Sequence, residues 1–254
     1  MNKFFRVSLR TLIGAFVCAS LCLATAHAAQ GERVIPYPPG LDTTKEGASS
    51  APAEINHRDS IYFAMPDYYS LSSAKDRVML THYRTYQQTT EYTCGPAAAL
   101  TVLYYYGNHD YDEMSLASGM KTEGYPIGTN PLNMVKFFRE IGWNVESSLD
   151  SPAFEDYASF RNFVVKHLRQ GTPIMVENVD WGGHWRVIIG YDAMRTDSSL
   201  DDVLIMVDPY DTCDHLEDGY TVTNGEKFFS MWFDHSMFPE NQRNQPWIVA
   251  TPQK

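Results

Sequence analysis

Basic residues are scarce in this sequence. Its 254 residues include 20 lysines and arginines against 31 aspartates and glutamates, which gives a formal charge of −11 at neutral pH. Residues 1–28 hold three of the basic residues and none of the acidic ones, so the charge becomes −14 without them. Such an acidic surface repels phosphate backbones and anionic lipid headgroups. The composition therefore argues against nucleic acid and against anionic membrane surfaces as partners.

Long apolar segments are also missing after the first 28 residues, and those residues have the pattern of a secretory signal. Lys3, Arg6 and Arg10 precede an apolar run over residues 12–24, which is short for a bilayer span. Ala26-His27-Ala28 then forms a small-x-small cleavage site. We expect cleavage after Ala28, a periplasmic or secreted protein, and no stable membrane association once the leader is removed. An uncleaved anchor is the alternative.

Cysteine is the third scarce residue type. Of four cysteines, only Cys94 and Cys213 lie beyond the leader. In an oxidising compartment these two could pair as a structural disulfide, which stays open as an alternative. Cys213 and His215 have the Cys-x-His spacing of a metal-binding pair, but no second ligand pair accompanies them. A loop is the better prediction for this segment, and no metal or other cofactor is expected.

Cys94 opens a segment that predicts a helix, Cys94-Gly95-Pro96-Ala97-Ala98. Gly95 indicates a tight turn, Pro96 suits the first helical position, and the alanines are strong helix formers. Because the N-terminal end of a helix favours negative charge, a thiol placed there is stabilised as the thiolate. The segment therefore predicts a cysteine nucleophile, with a buried structural cysteine as the alternative.

Two later segments supply a base and an acid to orient it. Residues 182–192 are typical of a strand with His184 at its start, and residues 203–209 of a neighbouring strand with Asp208 at its end. Adjacent antiparallel strands would set the Asp208 carboxylate against the imidazole, which would take the thiol proton. Asp192 competes with Asp208, although it lies at the far end of the histidine strand.

Three residues around His184 are candidates for the substrate cleft. Trp181 and Trp185 flank the histidine and could line the cleft, although aromatic residues at such positions are more often part of the core. Asp180 precedes the two glycines of this segment and could shape the entrance.

The order of four residues resembles the bacteriocin-processing, or double-glycine, peptidases of the papain-like cysteine peptidase clan: Gln88, Cys94, His184 and Asp208. The similarity covers roughly residues 80–210 and includes the start of the Cys94 helix, Gly183-His184-Trp185 and Asp208-Pro209. It implies peptide or protein substrates, hydrolysis through a thioester on Cys94, and Gln88 in the oxyanion hole. Gln87 is the competing residue for that role.

One difference separates this sequence from many members of that family. Those members are fused to a membrane transporter with an ATP-binding domain, whereas this sequence has no Walker-type G-x-x-x-x-G-K-[ST] loop. The resemblance therefore indicates a stand-alone, exported cysteine peptidase.

Helical patterns precede most strand patterns, which predicts an α+β fold, and the resemblance implies the papain-like arrangement. In it the helical part packs on an antiparallel β-sheet, with the active site in the cleft between them. Residues 29–58, rich in proline and glycine, are expected to be a linker or mobile extension, and residues 59–254 the peptidase domain. One predicted helix starts at Cys94, and the others cover residues 111–120, 132–141, 154–169 and 226–233. The remaining predicted strands are residues 77–86, 144–149, 172–177 and 247–250.

Two other functions fit the same residues. If an amine rather than water resolves the thioester, the protein is an acyl or peptidyl transferase, like the phytochelatin-synthase branch of the papain-like clan. If the four residues do not converge, it is a catalytically silent binding module of the same fold.

Overall fold

The computed structural model describes residues 66–212 and 216–253, which belong to one compact unit. The helices of this part are α1 (Cys94–Tyr105), α2 (Glu113–Gly119), α3 (Pro131–Glu140), α4 (Tyr157–Arg169) and α5 (Gly225–Ser230). The strands are β1 (Arg77–Met79), β2 (Trp143–Ser147), β3 (Ile174–Asn178), β4 (His184–Asp192), β5 (Val203–Val207), β6 (Tyr220–Asn224) and β7 (Trp247–Pro252). In these residues, no helix is long and apolar enough to cross a bilayer.

All seven strands belong to one antiparallel sheet with the order β2-β7-β3-β4-β5-β6, and β1 pairs with the far end of β4. Strand β4 is central: His184 to Ile188 face β3, while β5 pairs along its other edge. Because β4 and β5 run antiparallel, the start of β4 and the end of β5 meet at the same edge of the sheet. That edge is where the two strands place His184 and Asp208.

Polar side chains fix where the surface helices begin. Asp112 and Asp156 each form a capping box, with Ser115 at the start of α2 and Ser159 at the start of α4. Asn130 caps α3 by accepting a hydrogen bond from the Asn133 backbone N–H, 3.0 Å away. These caps leave the apolar faces of α3 and α4 free to pack on the sheet.

Helix α1 differs from the other helices because it is buried on nearly all sides. Every residue from Cys94 to Leu103 is buried, so an unusually apolar sequence is needed there. The helix ends at Tyr105, and Gly107 follows it in the left-handed region (φ 80°), which is typical of a helix C-terminus. The tyrosines at the end of α1 are half-buried and pack against the core.

The α+β class is confirmed, as are the predicted helices and most strands within a few residues. The predicted strand over residues 77–86 is wrong beyond Met79, because His82 has a positive φ of 61° that extended pairing cannot continue through. Strand β6 was not predicted. The leader, the extension at residues 29–58, and Cys213 with His215 lie outside the described residues.

Candidate active site

Cys94 is the first residue of α1, and its side chain lines a cleft. It is a free thiol and is only 9% exposed. The expected tight turn at Gly95 is wrong, because Gly95 is part of the helix. Glycine is needed there because a methyl group would lie 2.8 Å from Thr129 Cβ and 3.3 Å from the Trp185 ring. Pro96 occupies the third helical position, which also has no intrahelical partner for an N–H.

His184 and Asp208 form a close pair at the edge of the sheet. The His184 Nε2 atom lies 2.6 Å from Asp208 Oδ1, and both side chains are buried. Cys94 and His184 line the same cleft, and the neighbouring thiol contributes to raising the pKa of His184. Since Nε2 is occupied by Asp208, Nδ1 is the ring nitrogen left for the thiol. The structure thus brings three of the four predicted residues together.

The charge states of this pair follow from its surroundings. Burial lowers the pKa of His184, but the charge and hydrogen bond of Asp208 and the hydrogen bond with Cys94 outweigh burial and raise that pKa to about 8. Burial would raise the pKa of Asp208, but the charges of Arg186 and His184 hold it well below its ordinary value. The stable arrangement is therefore an imidazolium beside a carboxylate.

Arg186 is a member of this network that the sequence analysis missed. Its Nε donates to Asp208 Oδ2 at 2.6 Å, and one terminal nitrogen donates to Asp180 at 2.5 Å and Asn178 at 3.1 Å. The signal was present in the sequence, because alternate residues of a strand face the same side and Arg186 follows His184 by two. Arg186 keeps Asp208 ionised and fixes its second oxygen. Asp180, predicted near the cleft entrance, holds this arginine.

The two candidate glutamines take different positions. Gln88 lines the cleft beside Cys94, and its amide nitrogen donates to the Thr90 carbonyl at 2.6 Å. That contact fixes which end of the amide is nitrogen and leaves its second N–H available. The Gln87 amide instead donates to the Asp208 carbonyl at 3.1 Å. Gln88 thus has the position expected of an oxyanion donor, and Gln87 supports the Asp208 backbone.

Glu113 fixes the segment that carries Gln88. This buried carboxylate accepts hydrogen bonds from the Thr89 backbone N–H at 3.0 Å, the Thr89 hydroxyl at 2.9 Å and the Tyr86 hydroxyl at 3.0 Å. The residues on both sides of the two glutamines are therefore hydrogen-bonded to the first residue of helix α2. Sequence alone gave no indication of this contact, since Glu113 is separated from Thr89 by the whole of α1.

The two tryptophans near His184 have separate roles. Trp181 is 58% exposed, has a positive φ of 53°, and places its ring edge-on to His184 with centroids 4.9 Å apart. Tyr125, Tyr210 and Met237 line the cleft with it. Trp185 is buried in the core and donates its indole N–H to the Thr129 carbonyl at 2.9 Å. Only Trp181 lies at the cleft, so the expectation holds for one of the two.

Asp192, the competitor of Asp208, lies away from the cleft. It is the last residue of β4 and forms an ion pair with Arg77, whose nitrogen is 3.2 Å from its carboxylate. The structure therefore places Asp208, and not Asp192, against the imidazole.

We expect His184 to titrate with a midpoint near pH 8 in the folded protein, above the ordinary value of 6.5. Because the folded state holds this proton more tightly, its stabilisation is complete below pH 6.5 and is lost as the pH rises through about 8. The buried His167 is an internal control, since burial lowers its pKa. Histidine ring NMR across pH 5–9 measures both midpoints. A His184 midpoint below 6.5 would contradict the ion pair.

The chain is similar to one protein family and to solved structures of peptidase domains. The family model described as "Peptidase_C39 like family" matches residues 80–233. The peptidase domain of Streptococcus ComA, a bi-functional ABC transporter involved in a quorum sensing pathway, is similar at 21% identity with a TM-score of 0.47. That match covers 68% of this chain and 100% of the other. For the peptidase domain of Streptococcus mutans ComA, the identity is 18%, the TM-score 0.37, and the coverages 67% and 100%. No curated protein sequence matches the chain.

Proposed function

Because the chain belongs to the peptidase C39-like family and is a cysteine peptidase, we propose that it hydrolyses peptide bonds with Cys94 as the nucleophile. The bacteriocin-processing resemblance read from the sequence agrees with this membership. The observation that carries the assignment is that Cys94 and His184 line one cleft, with the buried Asp208 carboxylate 2.6 Å from the His184 ring. His184 is proposed as the general base and acid, and Asp208 as the residue that orients it.

In this mechanism the proton of the Cys94 thiol passes to the neutral fraction of His184, which gives the imidazolium that Asp208 favours. The sulfur attacks the scissile carbonyl carbon, and the resulting imidazolium gives its proton to the leaving amine. A water molecule then attacks the thioester carbonyl while His184 accepts its proton, and the carboxylic acid product leaves as the thiol re-forms. Asp208, held by Arg186, keeps the imidazole in one tautomer and one orientation throughout.

The negative charge that develops on the carbonyl oxygen must be stabilised by hydrogen-bond donors near Cys94. The free N–H of the Gln88 amide and the Cys94 backbone N–H are proposed for this role. Donors of this kind act only when the oxygen becomes anionic, so they accelerate the reaction and contribute little to substrate binding.

Replacing Gln88 with alanine is expected to lower kcat by about 10²- to 10³-fold with little change in KM. Gln87→Ala is the matched control, since its amide supports only the Asp208 carbonyl, and its effect should stay at about tenfold or less. Steady-state kinetics on one peptide substrate compare the two variants. A larger loss of kcat in Gln87→Ala than in Gln88→Ala would show that Gln87, and not Gln88, is the oxyanion donor.

The activity itself is tested by incubating the purified chain, lacking residues 1–28, with a peptide library and analysing the products by mass spectrometry. Hydrolysis in water, with new carboxyl termini, is expected. The same digest with an excess of a primary amine discriminates the transferase. If amide-linked transfer products form faster than free acids, hydrolysis is not the principal reaction.

We also propose that the protein is exported and begins near Ala29 in its mature form. The support is the basic leader, the apolar run over residues 12–24 and the small residues Ala26 and Ala28. N-terminal sequencing of the protein from a periplasmic or culture fraction should give Ala29 or a neighbouring residue. Intact Met1 on a membrane-bound product would argue for the uncleaved anchor.

A further inference from the structure

Two buried acids near Cys94 have no part in the mechanism above. Glu177, in strand β3, is 0% exposed, and Asp234, which follows helix α5, is 2% exposed. A buried carboxylate normally has several hydrogen-bond donors around it, because removing the charge from water is costly. For Glu177 the described residues supply no well-formed donor to either oxygen, and Asp234 Oδ2 also lacks one.

The two carboxyl groups meet at a single glycine. A methyl group on Gly183 would lie 2.7 Å from Glu177 Oε1, 2.9 Å from Asp234 Oδ2 and 3.4 Å from the Met237 sulfur. The two unpartnered oxygens therefore approach the same side of the Gly183 α-carbon, where no side chain separates them. Gly183 and Met237 both line the cleft with Cys94, so this carboxyl pair lies directly behind the cleft surface.

We propose that Glu177 and Asp234 share a single proton, so that Glu177 is a neutral acid that donates a hydrogen bond to Asp234. Its role is that of a positioning residue, and this role rests on the peptidase function proposed above. The hydrogen bond fastens the 234–238 segment, which carries Met237, to strand β3 behind the cleft. It also keeps one negative charge away from the surroundings of Cys94.

The neighbouring groups indicate which acid holds the proton. Asp234 Oδ1 accepts the Phe238 backbone N–H at 2.9 Å and lies 3.6 Å from Arg243 Nε, so Asp234 is the better place for the negative charge. Asp234, Cys94 and Asp180 each disfavour the ionised form of Glu177, whereas the His184 backbone N–H favours it. His235 is among the groups that favour the ionised form of Asp234. The proton therefore belongs on Glu177.

The energetics agree with this assignment. Burial and the charge of Asp234 raise the pKa of Glu177 well above its ordinary value. Burial also raises the pKa of Asp234, although the Phe238 and Met237 backbone N–H groups and Arg243 oppose that rise. Two adjacent buried carboxyls of this kind lose their protons in separate steps, because the first negative charge makes the second proton harder to remove.

The charge state is tested by infrared spectroscopy of the purified chain at neutral pH, which needs no peptidase activity. A protonated carboxylic acid gives a carbonyl band that ionised carboxylates lack. We expect this band in the wild type and in Glu146→Gln, a control at an exposed position on β2, and its loss in Glu177→Gln. In Asp234→Asn the band should disappear at lower pH, since the like charge is gone. No band in the wild type, or a band that persists in Glu177→Gln, would overturn the proposal.

The positioning role is tested by kinetics on a peptide that the wild type cleaves. Glu177→Leu removes the donor, so KM should rise roughly three- to tenfold, the value of one hydrogen bond, with a smaller change in kcat. Glu177→Gln keeps a neutral donor, so its KM is expected to be close to that of the wild type and well below that of Glu177→Leu. Equal KM values in the wild type and Glu177→Leu, or no rescue by glutamine, would contradict the role. If no variant or wild type cleaves any peptide, the proposed function fails, whereas the infrared result still decides the shared proton.

Discussion

Replacing Cys94 with alanine is expected to lower kcat by about 10⁶-fold, because no other described residue that lines the cleft has a thiol to form the thioester. The substitution removes one sulfur atom at the start of α1 and leaves the buried helix otherwise unchanged. Thermal unfolding should therefore show a midpoint close to that of the wild type, which separates loss of chemistry from loss of fold.

Cys213→Ala is the matched control, since Cys213 is the other cysteine beyond the leader. It should retain wild-type kcat and KM. If both variants keep their activity, Cys94 is not the nucleophile. If both lose it, the two cysteines act together, as the disulfide alternative requires.

The second large effect is expected at Asp208, because this side chain serves two partners at once. Asp208→Asn keeps the shape but removes the charge, and we expect kcat to fall by about 10⁴-fold as His184 loses its orientation and preferred tautomer. Asp208→Ala also leaves the buried Arg186 guanidinium without its fully buried carboxylate partner. That should lower the free energy of unfolding by about 3–5 kcal/mol, near the lower end because Asp180 remains.

Asp192→Asn provides the comparison, since its ion pair with Arg77 is partly exposed and far from the cleft along β4. Its effect on the free energy of unfolding should be about 1 kcal/mol or less, with unchanged kcat. Urea unfolding and steady-state kinetics on the three variants measure both quantities. If Asp192→Asn lowers kcat as much as Asp208→Asn, the orienting acid is misassigned.

Much of the site could be predicted from sequence because its parts lie at the ends of regular elements. A cysteine before an alanine-rich segment, a histidine at a strand start and an aspartate at a strand end are all local patterns. Antiparallel pairing of β4 with β5 then brings His184 to Asp208 without further information. Arg186 could have been included by the same alternation, and so could β6, whose Tyr-Thr-Val-Thr sequence alternates in the same way.

Contacts between distant segments could not be predicted in this way. Glu113 accepts a hydrogen bond from Thr89, which precedes helix α1 in the sequence, and Glu177 and Asp234 both approach Gly183. No residue next to Glu113 or Glu177 in the sequence indicates these partners. Local patterns also failed where one backbone angle decides the outcome. His82 ends β1 by a positive φ, and Trp181 reaches the cleft through a left-handed conformation that tryptophan rarely adopts.

We propose that His184 and the N-terminal end of helix α1 activate Cys94 as the nucleophile. The most direct test of this proposal is alkylation with iodoacetamide at mildly acidic pH, followed by mass spectrometry of the labelled peptides. Cys94 should be labelled well before Cys213, and labelling should slow strongly in His184→Ala and more weakly in Asp208→Ala. Equal labelling of both cysteines, or labelling of Cys94 only after reduction, would contradict the account.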